Sequence, residues 1–221
     1  MTTFDTTTPV TAVLDLAAGR VQLIAADRTT TTVEIRPANP AKSRDVKAAE
    51  QTTVAFADGV LRVTGAESKT PLFGAAGSVE ITIQLPAGSD VRATAAAAEL
   101  RGVGRLGEVV FDGAYQQIKI DEAASLRLTA VDGDVEVGRL TGPAQISTAR
   151  GDIRLAEAHR GTVELSTQSG SISVGAAAGV SASLDAGTTH GRISNTLKNN
   201  DTTELDIHAT TAHGDITARS L

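Results

Sequence analysis

Apolar and polar residues alternate with period two through most of this chain, and a glycine punctuates the alternation at nearly constant spacing. Gly133, Gly151, Gly170, Gly191 and Gly214 lie 18, 19, 21 and 23 residues apart. Two positions after each comes Val135, Ile153, Ile172, Ile193 or Ile216, and seven positions before each comes Leu126, Ala144, Val163, Leu184 or Ile207. Period-two alternation predicts half-buried strands. Its return about every twenty residues predicts stacked coils that share one apolar column. The expected fold is all-β: a single-stranded parallel β-helix, or β-solenoid. It is right-handed by the general rule for parallel crossovers.

The same frame extends toward the N-terminus without its glycine. Counting back from Gly133 puts the corner position at Gln116, between Val109/Phe111 and Ile118/Ile120, and then at Ala98, between Val91/Ala93 and Leu100. Leu14, Leu16, Val21 and Leu23 alternate around Gly19 in the same manner. Gly19, Gly133, Gly151, Gly170, Gly191 and Gly214 are therefore the expected turn glycines, placed where the chain needs φ > 0 or close backbone approach.

Three segments follow as domain organisation. Residues 1–9 read as a frayed, Thr-rich disordered tail. Residues 10–90 read as N-terminal strands and a hairpin, continuous with the solenoid or capping it. Residues 91–221 read as the repetitive coils. Val54 and Phe56, then Asp58-Gly59, then Leu61 and Val63 predict the hairpin, because Asp-Gly suits a tight primed turn. Arg36–Gln51, with Pro37, Pro40 and many charges, reads as a surface excursion, and Gly65–Gly77 as a loop. Val79, Ile81, Ile83 and Leu85 predict a clean strand ended by Pro86 and Gly88. The Ala-rich pieces Thr94–Glu99 and Gly175–Gly179 fall where the repeat already supplies strand or turn, so no helix is expected there. Leu197–Thr203 is an Asn/Asp-rich insertion expected to help shield the far end of the stack.

The phrases Asp132-Gly133-Asp134-Val135-Glu136-Val137, Arg150-Gly151-Asp152-Ile153-Arg154-Leu155, Ser169-Gly170-Ser171-Ile172-Ser173-Val174 and His213-Gly214-Asp215-Ile216 resemble the S-G-D-I-x-V repeats of a bacterial family of unknown function. That family is labelled "putative adhesin" or β-strand-repeat protein. Val21-Gln22-Leu23 and Leu85-Pro86-Ala87-Gly88-Ser89 are similar to it as well, and the resemblance covers most of residues 10–221. It implies a β-helical fold and brings no catalytic residues with it. The chain departs from the pattern at Ala98 and Gln116, and it shows no export signal.

Composition narrows the function classes. The formal net charge is −6 with no basic run, which argues against nucleic acid as a partner. Aromatic residues make up 2 % and Trp is absent, which removes the stacking platforms that single strands and carbohydrates favour. There are no cysteines, so disulfides and thiolate metal sites are excluded. No basic-then-apolar leader opens the sequence and no stretch approaches the length of a membrane helix, so a soluble cytoplasmic protein is the expectation.

Candidate chemistry is sparse. Gly102-Val103-Gly104-Arg105-Leu106-Gly107 matches G-x-G-x-x-G, but continues as β instead of opening a helix, so no dinucleotide site is expected. Arg150-Gly151-Asp152 matches a cell-attachment tripeptide, yet the repeat itself demands the Gly and favours the Asp. Asp134 and Asp152 fall at equivalent corners, where paired carboxylates could act on glycosides or bind Ca²⁺. Asp is also a common turn residue. His190 and His213 should stack at one corner and could share a metal, with Asp185 and His208 the nearest extra ligands. Thr148, Thr167, Thr188 and Thr211 are equivalent and read as an outward hydroxyl ladder. Asn200-Asp201-Thr202 is a sequon that matters only on export. No cofactor and no catalytic residue is expected. The leading expectation is a non-enzymatic interaction or scaffold module that binds a protein or envelope partner through its lateral faces. Self-polymerisation is the alternative, and a polysaccharide-acting enzyme comes third.

Overall fold

The alternating segments become strands almost throughout the computed structural model, which describes residues 1–65, 77–115, 117–200 and 202–221. Gln116, most of the loop expected between Gly65 and Gly77, and Asp201 of the sequon lie outside the described residues. The chain divides into two units, Met1–Gln116 and Gln117–Leu221.

The first unit contains β1 (Thr2–Asp5), β2 (Thr11–Ala26), β3 (Thr30–Pro37), α1 (Ser43–Gln51), β4 (Thr53–Ala57), β5 (Val60–Thr64), β6 (Val79–Pro86) and β7 (Asp90–Tyr115). β2 is its centre. One flank pairs in parallel with β7, from Thr11↔Asp90 to Ala25↔Gly104. The other flank pairs in parallel with β5 along its first half and with β6 along its second. β2 turns at Gly19 (φ 145°), where an added Cβ would sit 1.9 Å from the Val79 carbonyl oxygen. Ala98 registers directly on Gly19, as the repeat count expects. β7 thus lies in the first unit, which runs to residue 116. The reason is register: β7 lies along β2 through both of its halves. Asp58 (φ 51°) and Gly59 (φ 75°) close the β4–β5 hairpin as expected.

Two expectations for this unit need correction. The segment read as a disordered tail forms β1, antiparallel to β3 from Thr2↔Val33 to Asp5↔Thr30. Its β-branched threonines suit a strand, the Phe4 ring lies 5.2 Å from that of Phe56, and the buried Thr6 hydroxyl bonds that of Thr31 at 2.9 Å. The segment read wholly as an irregular excursion contains α1, built largely from good helix formers. Asp45 in its first turn is 3 % exposed and accepts the Ser78 N–H at 3.0 Å, which ties the helix to the start of β6.

The second unit contains β8 (Ile118–Asp132), β9 (Val135–Leu140), β10 (Ala144–Arg150), β11 (Ile153–Ala158), β12 (Gly161–Ser169), β13 (Ile172–Ala176), β14 (Ala182–His190), β15 (Ile193–Thr196), β16 (Leu205–His213) and β17 (Ile216–Ser220). These strands form two columns, parallel throughout. One column runs from the first half of β8 through β9, β11, β13 and β17 to β15. The other runs from the second half of β8 through β10, β12 and β16 to β14. Inward residues of both columns are buried, among them Ile120, Leu128, Val137, Ile146, Leu155, Leu165, Val174 and Ile207.

The coils do not stack in chain order. The last coil, β16–β17, lies between β12–β13 and β14–β15, so β14 and β15 form the terminal rung. Inward polarity explains the inversion. Four residues after the corner glycine the inward positions are Val137, Leu155, Val174 and Ala218, all buried, but Asn195 in the β15 coil is exposed. The coil with the amide takes the end, and the coil whose Leu205, Ile207, Ala209, Ile216 and Ala218 are at most 1 % exposed takes the interior. The connections match. Residues 177–181 skip one rung, and residues 197–204 return to fill it. Lys198 and Asn200 bond back to the flanking chain through Ala182 N–H→Lys198 O and Asn200 N–H→Ser181 Oγ. This connection leaves Ile193 47 % exposed, so the expected shielding of the end is partial.

Corner glycines hold the rungs at contact distance. An added Cβ on Gly170 would lie 2.0 Å from the Gly151 carbonyl oxygen, a separation no side chain tolerates. Gly187, on the terminal rung, has nothing within 4 Å of that position. Gly170→Ala is expected to cost about 2–3 kcal/mol through forced displacement of packed backbone. Gly187→Ala is expected to stay within about 0.5 kcal/mol of the parent. Urea denaturation of the two variants checks the difference.

Candidate functional site

The corner of the second unit gathers most of the residues singled out by sequence: the glycines, Asp134, Asp152, Arg150, the threonines and the stacked histidines. Each glycine N–H donates to the residue preceding the next corner: Gly133 to Arg150, Gly151 to Ser169, Gly170 to His213 and Gly214 to His190, all at 2.8–2.9 Å. The aspartates form a second staircase beside this one. Asp134 Oδ1 accepts the Asp152 N–H at 2.8 Å, Asp152 Oδ1 accepts the Ser171 N–H at 2.9 Å, and Asp215 Oδ1 accepts the Arg192 N–H at 2.9 Å. Ser171 Oγ takes the remaining step by accepting the Asp215 N–H at 3.3 Å. A carboxylate accepts backbone N–H groups well, so these aspartates join rung to rung.

The threonines are a third staircase, and they face inward rather than outward. Thr148, Thr167 and Thr211 are buried, and they stand on the same side of their strands as the apolar residues two and four positions earlier. Thr167 donates to the Gly151 carbonyl at 3.2 Å, Thr211 to that of Gly170 at 3.0 Å and Thr188 to that of Gly214 at 3.0 Å. The hydroxyls satisfy corner carbonyls that the turn would otherwise leave unpaired. The outward hydroxyl row is one position earlier. Thr129, Ser147, Ser166 and Thr210 are neighbours in register on β8, β10, β12 and β16, and Ser166 bonds Ser147 at 3.1 Å.

Other sequence candidates are absorbed in the same way. Arg150 of the Arg-Gly-Asp tripeptide pairs with Asp132 at 3.0 Å, and the Asp152 carboxylate meets both the Ser171 N–H and Arg154. Gly104 of the G-x-G-x-x-G run lies inside β7, where an added Cβ would sit 2.1 Å from the Ala25 carbonyl oxygen. His190 and His213 stack as expected, 4.8 Å apart with ring planes 2° from parallel. Asp185 and His208 meet each other at 3.6 Å, and His208 also meets Asp206 at 3.1 Å. Among the described residues, no three His, Cys, Asp or Glu side chains converge in a way that could hold a metal ion.

Asp206 was not singled out by the sequence, because Ser183 lies one strand away and 23 residues earlier. Ser183 donates to its carboxylate at 2.6 Å. That bond, then the neighbouring His208, holds the Asp206 carboxyl below its ordinary value of 3.8 against the opposing cost of desolvation. A lowered carboxyl pKa contributes stability that is present above the ordinary carboxylate range and is lost as pH falls through the folded-state value. Ser183→Ala is expected to raise the Asp206 midpoint toward 3.8, read by NMR titration of its side-chain carbonyl. Asp152→Ala is expected to cost about 1 kcal/mol, one rung-to-rung hydrogen bond. Asp152→Asn keeps an acceptor oxygen and is expected to lie closer to the parent in the same denaturation experiment.

No curated protein matches the chain. A solved structure of a "putative adhesin" from Bacteroides fragilis is similar at 15 % identity, covering 98 % of this chain and 96 % of that one with a TM-score of 0.50. A "putative cell adhesion protein" from Clostridium sporogenes is 9 % identical, covering 96 % and 93 % with a TM-score of 0.38. A "putative adhesin" from Parabacteroides distasonis is 12 % identical, covering 98 % and 95 % with a TM-score of 0.34. Among the described residues, no helix is long and apolar enough to cross a membrane. Residues 13–219, which hold the coils and their corner glycines, match the Toastrack DUF4097 domain, and the chain belongs to that family.

Proposed function

We propose that this chain is a non-enzymatic interaction module that docks a protein or envelope partner on the lateral face of its second unit. One observation carries the reading: the polar groups of the corner are engaged in joining rung to rung, and the face beside them is left to the solvent. That face is built on β8, β10, β12, β16 and β14. Its middle row is Thr129, Ser147, Ser166, Thr210 and Gly187. A row of Arg127, Gln145, Glu164, His208 and Asp185 flanks it on one side, and Arg150, Ser169, His213 and His190 stand exposed at the corner beyond its other side. The registered backbone holds these side chains in a lattice with rungs about 4.8 Å apart. Such a surface is pre-organised for a broad, flat partner, because little side-chain order is lost on docking. The adhesin names of the similar structures support an adhesive role of this kind.

Self-association through the terminal rung is the second reading. Among the described residues β14 and β15 pair on one side only, and Ile193 beside them is exposed. An open strand edge is a template for a further strand.

Binding of the labelled chain to the envelope fraction and to purified partners of the source organism tests the first reading. The triple variant Ser147→Glu, Ser166→Glu, Thr210→Glu is expected to lose at least about tenfold in affinity, while Ser173→Glu and Thr217→Glu on the other column leave it unchanged. A tenfold loss corresponds to about 1.4 kcal/mol. Equal losses from both faces would contradict the lateral site. Saturable turnover of a defined substrate, abolished by Asp152→Asn or His213→Gln, would contradict the non-enzymatic reading.

A further inference from the structure

The interior position of the C-terminal coil has a consequence independent of the lateral face. β16 and β17 are laddered on both sides: β16 to β12 and β14, and β17 to β13 and β15. Most of what seats the coil lies within it or in the two rungs it touches, and the Lys198 N–H adds one bond from the connection to Ser220 Oγ at 2.9 Å. Gly214 closes on the Gly170 carbonyl, Thr211 donates to that same oxygen, and Asp215 accepts the Arg192 N–H. Ile207, Ala209, Ile216 and Ala218 continue the apolar column. Residues 197–204 connect the terminal rung to this coil.

We propose that the slot between β12–β13 and β14–β15 accepts the Leu205–Leu221 coil from a second copy of this chain. The recognition chemistry is the same in either case. Two parallel ladders, a glycine at the corner and a threonine under it specify the segment, and none of these depends on which chain residues 197–204 belong to. The returning connection must reverse by one rung, about 4.8 Å, and exchange removes that reversal. Exchanging an identical element is a low-cost route to association. Reciprocal exchange gives a closed dimer, and donation from each copy to the next gives an open chain of subunits.

The chain has no cysteine, so introduced thiols report on the exchange directly. Ser166 and Thr210 are register partners on β12 and β16, and adjacent parallel strands lie within the Cα separation a disulfide spans. Full-length Ser166→Cys and Thr210→Cys chains are mixed, unfolded together, refolded over a range of concentration and oxidised. The proposal expects a heterotypic disulfide-linked dimer that rises with concentration above the level of either variant alone. A Ser147→Cys and Ser166→Cys mixture controls for simple face-to-face contact, since those neighbours stay within one chain body on exchange, and it is expected to remain at background. In a second full-chain variant, deletion of residues 199–202 shortens the connection from the terminal rung, and a dimer by light scattering is expected. Heterotypic linkage no greater than the control mixture at every concentration would overturn the proposal. So would a folded, monomeric deletion variant.

Discussion

The structure of the second unit depends on one close approach, the carbonyl of one corner against the Cα of the next. At Gly151, Gly170, Gly214 and Gly191 the space a Cβ needs is occupied by the carbonyl oxygen of the neighbouring corner. Only glycine allows the rungs to close to hydrogen-bonding distance along both columns at once. Once they do, other groups can bridge the same gap: the aspartate to a backbone N–H, and the threonine hydroxyl to the carbonyl that crowds the glycine. The S-G-D-I signature is thus a compact description of a joint. Glycine sets the distance, aspartate and threonine saturate the polar groups, and isoleucine returns the chain to the core.

The same joint records the order of the rungs independently of strand pairing. The glycine contacts run from 133 through 151, 170 and 214 to 191. The aspartate and serine acceptors run from 134 through 152 and 171 to 215, whose carboxylate takes the Arg192 N–H. Three kinds of contact, counting the parallel registers, give one order, and chain order is broken in each of them at the same place. A chemical reading of the corner aspartates or histidines has to start from this arrangement, because their nearest polar neighbours are other corners.

Much of this was legible in the sequence. The corner glycines at a regular period, the equivalence of Ala98 with Gly19, the Asp58-Gly59 hairpin and the stacking of His190 on His213 all follow from counting positions in one frame. What was not legible divides by physical cause. β1 and α1 are local elements stabilised by distant partners, Phe56 and Thr31 for one and Ser78 for the other, which no local pattern announces. Thr148, Thr167 and Thr211 face inward although a hydroxyl suggests solvent, because period two places them with Leu, Ile, Val and Ala. The inverted rung order did leave a signal. Asn195 occupies an inward position that is otherwise Val, Leu or Ala, and the two connections beside that coil are longer than their predecessors. An amide in an apolar column costs free energy to bury without a partner, which favours the terminal rung.

Native-state hydrogen exchange tests the rung order most directly, because protection follows the depth of an amide in the cooperative structure. The order described here places β16 inside and β14 at the edge. Amides of Leu205–His213 are expected to exchange as slowly as those of Gly161–Ser169, and Ala182–His190 should hold the fastest strand amides of that column. Fast exchange throughout Leu205–His213 with full protection of Ala182–His190 would mean that the coils stack in chain order, and would contradict the account.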